Sequence, residues 1–484
     1  MTRRALLLAA LLATDAAGCA RAKRPEARPI AEGDAVWLRD GAGADTEALE
    51  QTLMRAGFAA VYLPGPTVRA GAGAVEASSA SPPAAPLTRV PVIVVIGGGE
   101  GLETSLRTAA GPGLKALAAS LGGAVAGALR ERASYGRVVG LHLDLPFSSE
   151  TLDAFAKLVA EARRRLPAAD RLTASLRFSP SEDDRQRLAA VGVDAWTVGV
   201  FGEDAAADPV AVDALGKPWF AVYRPGARGS WRGADNAVKG TVGETHLALL
   251  SDRPDVDFAH DLTWKEEWAS AYLFRPRRPV ETPGGSFVPG DVISFSHPSL
   301  PEMLSLLGAD VVAKRNARGR IIALQGTSDA ERVFTLSALG DVLLGRSLDP
   351  DLRVSSAPAA GRQLRVGAEN VATHVSVVSR TANWVEVELP SPGVRDVLPG
   401  GFERYEVYDA ADRPVTLGRA VRVRFFETLL GPFERVAEAR VTLRGPAPAG
   451  CCRWRSRMIT AAGHEVVTDW AGPEPPPTPP AATP

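Results

Sequence analysis

The sequence predicts a parallel α/β barrel of the (β/α)8, TIM-like kind, followed by an all-β, sandwich-like module. Three observations predict it. Eight apolar, strand-like runs recur between residues 35 and 326, most of them followed by a helical pattern. The runs are apolar enough to be buried on both faces, as strands of a parallel sheet covered by helices are. Beyond about residue 360 the helical patterns stop, and short alternating segments separated by Gly, Pro and Asn turns take over. A doubly wound open sheet is the alternative for the first part, because periodicity does not reveal closure.

In chain order, residues 1–19 read as a lipoprotein signal peptide. Thr2-Arg3-Arg4 is a short positive region, and Ala5 to Ala13 is an apolar core too short to span a bilayer. Ala16-Ala17-Gly18 before Cys19 resembles the processing site at which bacterial lipoproteins acylate the cysteine. An ordinary signal peptide cleaved at the same small residues is the other reading. Both export the chain, and the first anchors it to a membrane through lipid on Cys19. Residues 20–34 are a polar tether and residues 470–484 a Pro-rich tail that cannot pack. No further stretch reads as a membrane span.

The predicted strands are 35–40, 58–65, 90–98, 137–146, 171–178, 193–201, 218–225 and 319–326. The predicted helices are 46–57, 114–134, 149–166, with Ser149 as N-cap, 181–192 and 329–345. The barrel is placed at 35–355. About ninety residues, 226–318, separate the last two strands and form an insertion, with a hairpin over 271–298 and a helix in "LPEMLSLLGAD". Such a segment lies on the loop face of a barrel, as a lid or one wall of a groove. The β module is placed at 360–469.

Composition narrows the function. A net charge of −1 leaves no basic footprint for nucleic acid. Of three cysteines, Cys451 and Cys452 are adjacent, where a bridge is strained, so they read as two small semi-buried residues. No His stands at ligand spacing to them, so neither a metal nor another cofactor is expected. "VPVIVVIGGGEGLE" imitates a dinucleotide fingerprint, but its third glycine is one residue early and no acid follows at ribose distance. The glycines read instead as a sharp turn at the barrel mouth.

Barrel enzymes place their chemistry at strand C-termini. Candidates there are Arg39, Glu100, His142, Asp144, Arg177, Glu203, Tyr223 and Arg224. Alternation puts His142 and Asp144 on one face of the fourth strand, opposite Leu141, Leu143 and Leu145. A His and an Asp inside a barrel need partners, which Arg177 on the next strand or Arg39 across the bore can supply. Asp144 is the last inward residue before Pro146 ends the strand, so it is expected to reach a solvated mouth.

"VVGLHLDLP" resembles the fourth strand of chitinase-like family eighteen glycoside hydrolases, whose pattern is Asp-Gly-x-Asp-x-Asp-x-Glu. Gly140 matches the glycine and Asp144 the last aspartate; Val139, His142 and Pro146 replace the first aspartate, the middle aspartate and the catalytic glutamate. The resemblance implies a chitinase-like barrel whose proton donor is missing. The order of "VWLR", "VDAWTVGVF", "GKPWFAVY" and "RSLDPDLRV" is similar to that in a bacterial family of exported barrel proteins, often lipoproteins, built on a domain of unknown function. That resemblance spans roughly residues 35 to 460 and implies barrel plus β module without naming a reaction.

Two functions follow. The first is an envelope-anchored lipoprotein with a degenerate glycosidase-like barrel that binds an extracytoplasmic glycan or peptide through Arg39, His142, Arg177, Tyr223 and Arg224. The second is a glycoside hydrolase with a non-standard acid pair, Asp144 with Glu203 or Glu100. Hydrolysis of that kind needs carboxyl groups about 5–5.5 Å or about 6.5–9.5 Å apart. Trp37, Tyr62, Trp196, Trp219, Tyr223 and Trp231 are aromatics that could face a sugar or fill the core.

Overall fold

The computed structural model of the chain describes residues 33–472, apart from 44, 71–74, 79–81, 100, 109–110, 201–206, 227, 252, 262–269, 283–284, 298–313, 326–334, 345–350, 360, 373–375, 377–378, 390–392, 429, 432–433, 448–450 and 460–464. The signal peptide with Cys19, most of the tether, the helix expected in "LPEMLSLLGAD" and the tail from 473 lie outside the described residues.

The chain opens with β1 (Ala35–Leu38), α1 (Thr46–Arg55), β2 (Ala60–Ala70), β3 (Val75–Ser78) and β4 (Leu87–Gly98). The Asp45 side chain caps α1 by accepting from the Ala48 amide at 2.9 Å. Then come α2 (Leu102–Thr108), α3 (Pro112–Arg130), α4 (Arg132–Tyr135) and β5 (Gly136–Asp144). Next are α5 (Leu152–Arg165), β6 (Arg171–Leu176), α6 (Glu182–Ala190), β7 (Ala195–Gly199), α7 (Pro209–Asp213) and β8 (Trp219–Tyr223). The start of α5 departs from expectation. Ser148, not Ser149, caps a 3-10 turn over Ser149–Thr151, and the Ser149 hydroxyl donates instead to Asp184 at 2.6 Å.

The insertion carries β9 (Arg228–Arg232), β10 (Val238–Gly243), α8 (Glu244–Ser251), β11 (Val256–Asp261), β12 (Ser270–Pro276), β13 (Val280–Thr282), β14 (Gly285–Phe287) and β15 (Val292–His297). The predicted hairpin is the β12–β15 pair, extended to a five-stranded antiparallel sheet in the order β10-β9-β15-β12-β11. After it come β16 (Ala317–Leu324) and α9 (Leu336–Leu343).

Eight parallel strands close into a barrel in the order β1-β2-β4-β5-β6-β7-β8-β16, with β16 paired back to β1. Closure settles the choice against the open sheet. All eight predicted strands are present; β3, which the sequence reading did not foresee, is an antiparallel addition to the extended end of β2. Two apolar sets alternate along the strands. Val36, Val61, Val94, Leu143, Trp196 and Ala221 face the helices in one continuous core. Trp37, Tyr62, Ile93, Val95, Phe220 and Ile321 face the bore.

The seam between β1 and β16 is locked by a buried ion pair. Asp34 accepts from the Arg320 amide at 2.7 Å and from its guanidinium at 2.5 and 3.0 Å, with both side chains 1% exposed. Asp34, placed in the tether from the sequence, thus belongs to the barrel. An 18-residue window of α3 has a mean hydropathy of 1.2, so by length and composition alone this helix could cross a membrane, contrary to the expectation of no such stretch. It lies on the barrel, with Leu117, Leu121, Val125 and Ala128 buried.

The C-terminal part is an antiparallel two-sheet sandwich. It runs β17 (Leu352–Pro358), β18 (Gln363–Asn370), β19 (Asn383–Glu388), β20 (Val394–Leu398), β21 (Arg404–Tyr408), β22 (Arg422–Glu427), β23 (Arg435–Leu443), β24 (Trp454–Ile459) and β25 (Glu465–Val467). One sheet is β17-β18-β23-β20 and the other β21-β22-β19-β24-β25, and they share an apolar core. Because β17 pairs with β18, the sandwich starts at Leu352, upstream of the boundaries at 355 and 360 drawn from the sequence. Cys451 and Cys452 stand side by side just before β24, the first half-buried and the second buried. The sandwich touches the rest of the molecule: Ala382 and Ile459 pack into the barrel-side core, and Arg380 donates to the Val256 carbonyl at 3.0 Å.

Candidate functional site

The site is built on β5. A bulge lets Gly140 stand opposite Ile93 while Val138 stands opposite Val92. The bulge resets the alternation, so His142 and Asp144 point into the bore while Leu141, Leu143 and Leu145 join the outward core. Gly140 is needed there because a Cβ would overlap the Arg171 carbonyl oxygen on β6.

The neighbouring strand, β6, supplies hydroxyls at Thr173 and Ser175, and Arg177 just beyond its end supplies a cation. Asp144 Oδ1 accepts from the Ser175 hydroxyl at 2.8 Å and from Arg177 at 2.6 Å. His142 Nε2 lies 3.0 Å from Ser175 Oγ, and Nδ1 lies 2.9 Å from Thr173 Oγ1. Thr197 on β7 donates to Ser175 at 3.3 Å.

Donor counting fixes the direction of this chain. Ser175 gives its one proton to Asp144, so it accepts from His142 Nε2–H. The neutral ring then accepts at Nδ1 from Thr173. The donors of Thr173, His142 and Ser175 therefore all point towards Asp144, whose same oxygen, Oδ1, also accepts from Arg177. Burial pushes the His142 pKa down to about 4, with Asp144 opposing and Arg177 reinforcing the shift. Burial also works against ionisation of Asp144, but the Arg177 charge, His142 and the two hydrogen bonds outweigh it and hold the carboxyl below its ordinary value.

Around His142 the bore is plugged by aromatic edges. Its ring lies 5.2 Å from Trp37 and 5.5 Å from Tyr62, which are 6.1 Å from each other. Above the plug, Trp37, Asp144, Ser175, Arg177, Thr197 and Arg224 enclose about 20 Å³, room for a single water.

The candidate residues do not all meet. Asp144, His142 and Arg177 form one network, and Arg224 lines the same small space. The Asp144 side chain is 12% exposed and ion-paired, so it does not reach a solvated mouth. Arg39 is half-buried at the end of β1; the partner of Asp144 is Arg177. Tyr223 is misplaced by one residue of parity: Phe220 and Val222 face the bore, and Tyr223 lies in the outward core beside Trp196 and Trp219. Of the tryptophan and tyrosine candidates, Trp37 and Tyr62 face the bore, while Trp231 lies on the insertion sheet. Glu100 and Glu203 lie outside the described residues. Pro146 packs against Gly98, where any Cβ would strike it. The glycine run thus serves a close approach of two strand ends.

The residues missed from the sequence are Thr173, Ser175 and Thr197. The signal was present: "RLTASLRF" places Thr173, Ser175 and Arg177 at alternate positions beside a strand that carries His142 and Asp144. The insertion stands at this end of the barrel, with Gly243 against Gln325 just beyond β16. Among the described residues, no group of three His, Cys, Asp or Glu side chains could hold a metal ion.

No family model matches the chain, and no curated protein matches it. Among solved structures it is similar to the spore cortex-lytic enzyme SleL of Bacillus cereus, at 12% identity over 66% of this chain and 75% of that one, with a TM-score of 0.37. It is similar to a family GH18 chitinase from Chromobacterium violaceum, at 11% identity over 91% and 92%, TM-score 0.34. A third is the chitinase RmChi1 from Rhizomucor miehei, at 14% identity over 64% and 100%, TM-score 0.35. The barrel rests on its own strand pairing, and its chemistry has to be read from its residues.

Proposed function

We propose that this chain is a non-hydrolytic, envelope-anchored barrel protein whose mouth binds an acidic group on an extracytoplasmic glycan or peptide. The observation that carries this reading is the state of Asp144. Its carboxylate is kept ionised by Arg177 and Ser175, and the next residue on that face is Pro146, which has no proton to give. A glycosidase needs one carboxyl group protonated and another ionised, and this strand offers only the ionised one. Arg177 and Arg224 beside the mouth, with Arg39 at the end of β1, favour an anionic group on the ligand. Anchoring rests on the leader and on acylation of Cys19.

Two measurements test this. Isothermal titration with carboxylate-bearing glycan fragments and acidic peptides, against neutral chitin oligosaccharides, is expected to show binding of the acidic set that weakens in Arg177→Ala. Release of reducing ends from any of these glycans, abolished in Asp144→Asn, would overturn the reading in favour of a hydrolase drawing its second acid from Glu100 or Glu203. Mass spectrometry of the mature N-terminus is expected to find lipid on Cys19; an unmodified terminus at another residue would remove the anchor.

A further inference from the structure

The bore is hollow at the end opposite the mouth. Barrels ordinarily fill this space with layers of bulky side chains. Here the lowest inward positions of β1, β2 and β7 are Ala35, Ala60 and Ala195, and a cavity of about 670 Å³ remains. Its ceiling is the plug, through Tyr62 and Thr173; its walls are apolar, from Ile93, Val139 and Phe220; its rim carries Arg171, Asp194 and Arg318.

We propose that this lower cavity is a second binding site, for a compact apolar molecule with one anionic head group. The volume falls within the range of small-molecule pockets, about 300–1,000 Å³. The rim decides the charge. Asp194 is already committed, accepting from the Leu172 amide at 2.8 Å and pairing with Arg163 at 2.5 Å. Among the described residues no carboxylate is paired with Arg171 or Arg318, and both are exposed at the opening. An apolar body enters the bore, and its carboxylate, sulfonate or phosphate stays at the two guanidinium groups. The plug keeps this site separate from the mouth, so the proposal stands apart from the glycan or peptide reading.

The test uses the full chain and 1-anilinonaphthalene-8-sulfonate, an apolar ring system with one anionic group. Saturable one-to-one fluorescence enhancement, displaced by decanoate, is expected. The double variant Arg171→Glu/Arg318→Glu, which alters only exposed rim positions, should weaken binding about tenfold or more. Ala195→Trp, which fills the cavity, should abolish it, while Arg224→Ala at the mouth should leave it within about twofold. Absence of saturable binding to the folded chain would overturn the proposal. So would binding indifferent to both the rim and the filling variants, or binding lost in Arg224→Ala.

Discussion

Asp144 Oδ1 sits 2.6 Å from Arg177 and 2.8 Å from Ser175 Oγ, so the carboxylate at the end of β5 is tied both to β6 and to the residue just beyond its end. The pair is asymmetric: the Asp144 side chain is 12% exposed and that of Arg177 39%. Removing one partner of a fully buried pair costs about 3–5 kcal/mol. Here the orphaned guanidinium can turn to water, so Asp144→Asn is expected to lose about 2 kcal/mol in a urea melt. A loss under about 0.5 kcal/mol would mean that the pair does not stabilise the barrel.

The His142 network makes stability depend on pH. Its folded pKa, about 4, lies below the ordinary 6.5, so the unfolded chain binds the proton more tightly. The contribution is complete above pH 6.5 and is lost as pH falls towards about 4. The shift corresponds to stability on the order of 3 kcal/mol. Denaturant melts between pH 7 and 4, compared with His142→Gln, isolate it from the carboxylates. The variant should be less stable at pH 7, with the difference narrowing as the pH falls; a constant difference would refute the neutral buried imidazole.

The barrel was legible because its strands are short, apolar and regularly spaced, signals that survive without knowledge of tertiary contacts. The Asp144–Arg177 pair was legible for a similar reason, since alternation along two adjacent strands brings the residues to one side. Tyr223 was misread because parity has to be counted from Phe220 and Val222, and an isolated tyrosine near a strand end gives no sign of its face. Asp34 was missed because it is the last polar residue of a polar segment; its partner Arg320 lies 286 residues away, a separation no local pattern encodes. β17 was missed because "LRVSSAP" is weakly apolar and is held by its pairing with β18.

Gly140 permits the bulge that aims His142. A methyl group there would meet the Arg171 carbonyl, which is backbone and cannot swing away. Gly140→Ala is therefore expected to cost about 1–3 kcal/mol by overpacking and to disturb the neighbouring network. Circular dichroism melts give the first quantity, and the pH dependence assigned to His142 gives the second. A variant as stable as the parent, with an unchanged pH profile, would show that the strands part without cost.

The last prediction concerns closure. Asp34 and Arg320 join the entry to β1 to the last barrel strand, and both are 1% exposed. Asp34 also satisfies the Arg320 backbone amide, so it serves three donors at once. Arg320→Ala takes two of these donors from the buried Asp34 carboxylate, and Asp34→Ala takes their acceptor from the buried guanidinium. Each is expected to lose about 3–5 kcal/mol. The double variant Asp34→Leu/Arg320→Met removes both charges and keeps the volume; as buried pairs replaced by apolar side chains often lose little, it should recover most of that loss. The recovery will be incomplete because the Arg320 amide then lacks its acceptor, at about 1–3 kcal/mol. A double-mutant cycle in urea measures these terms. Additive losses, with no recovery in the double variant, would show that the two residues act independently and that the seam is held by strand pairing alone.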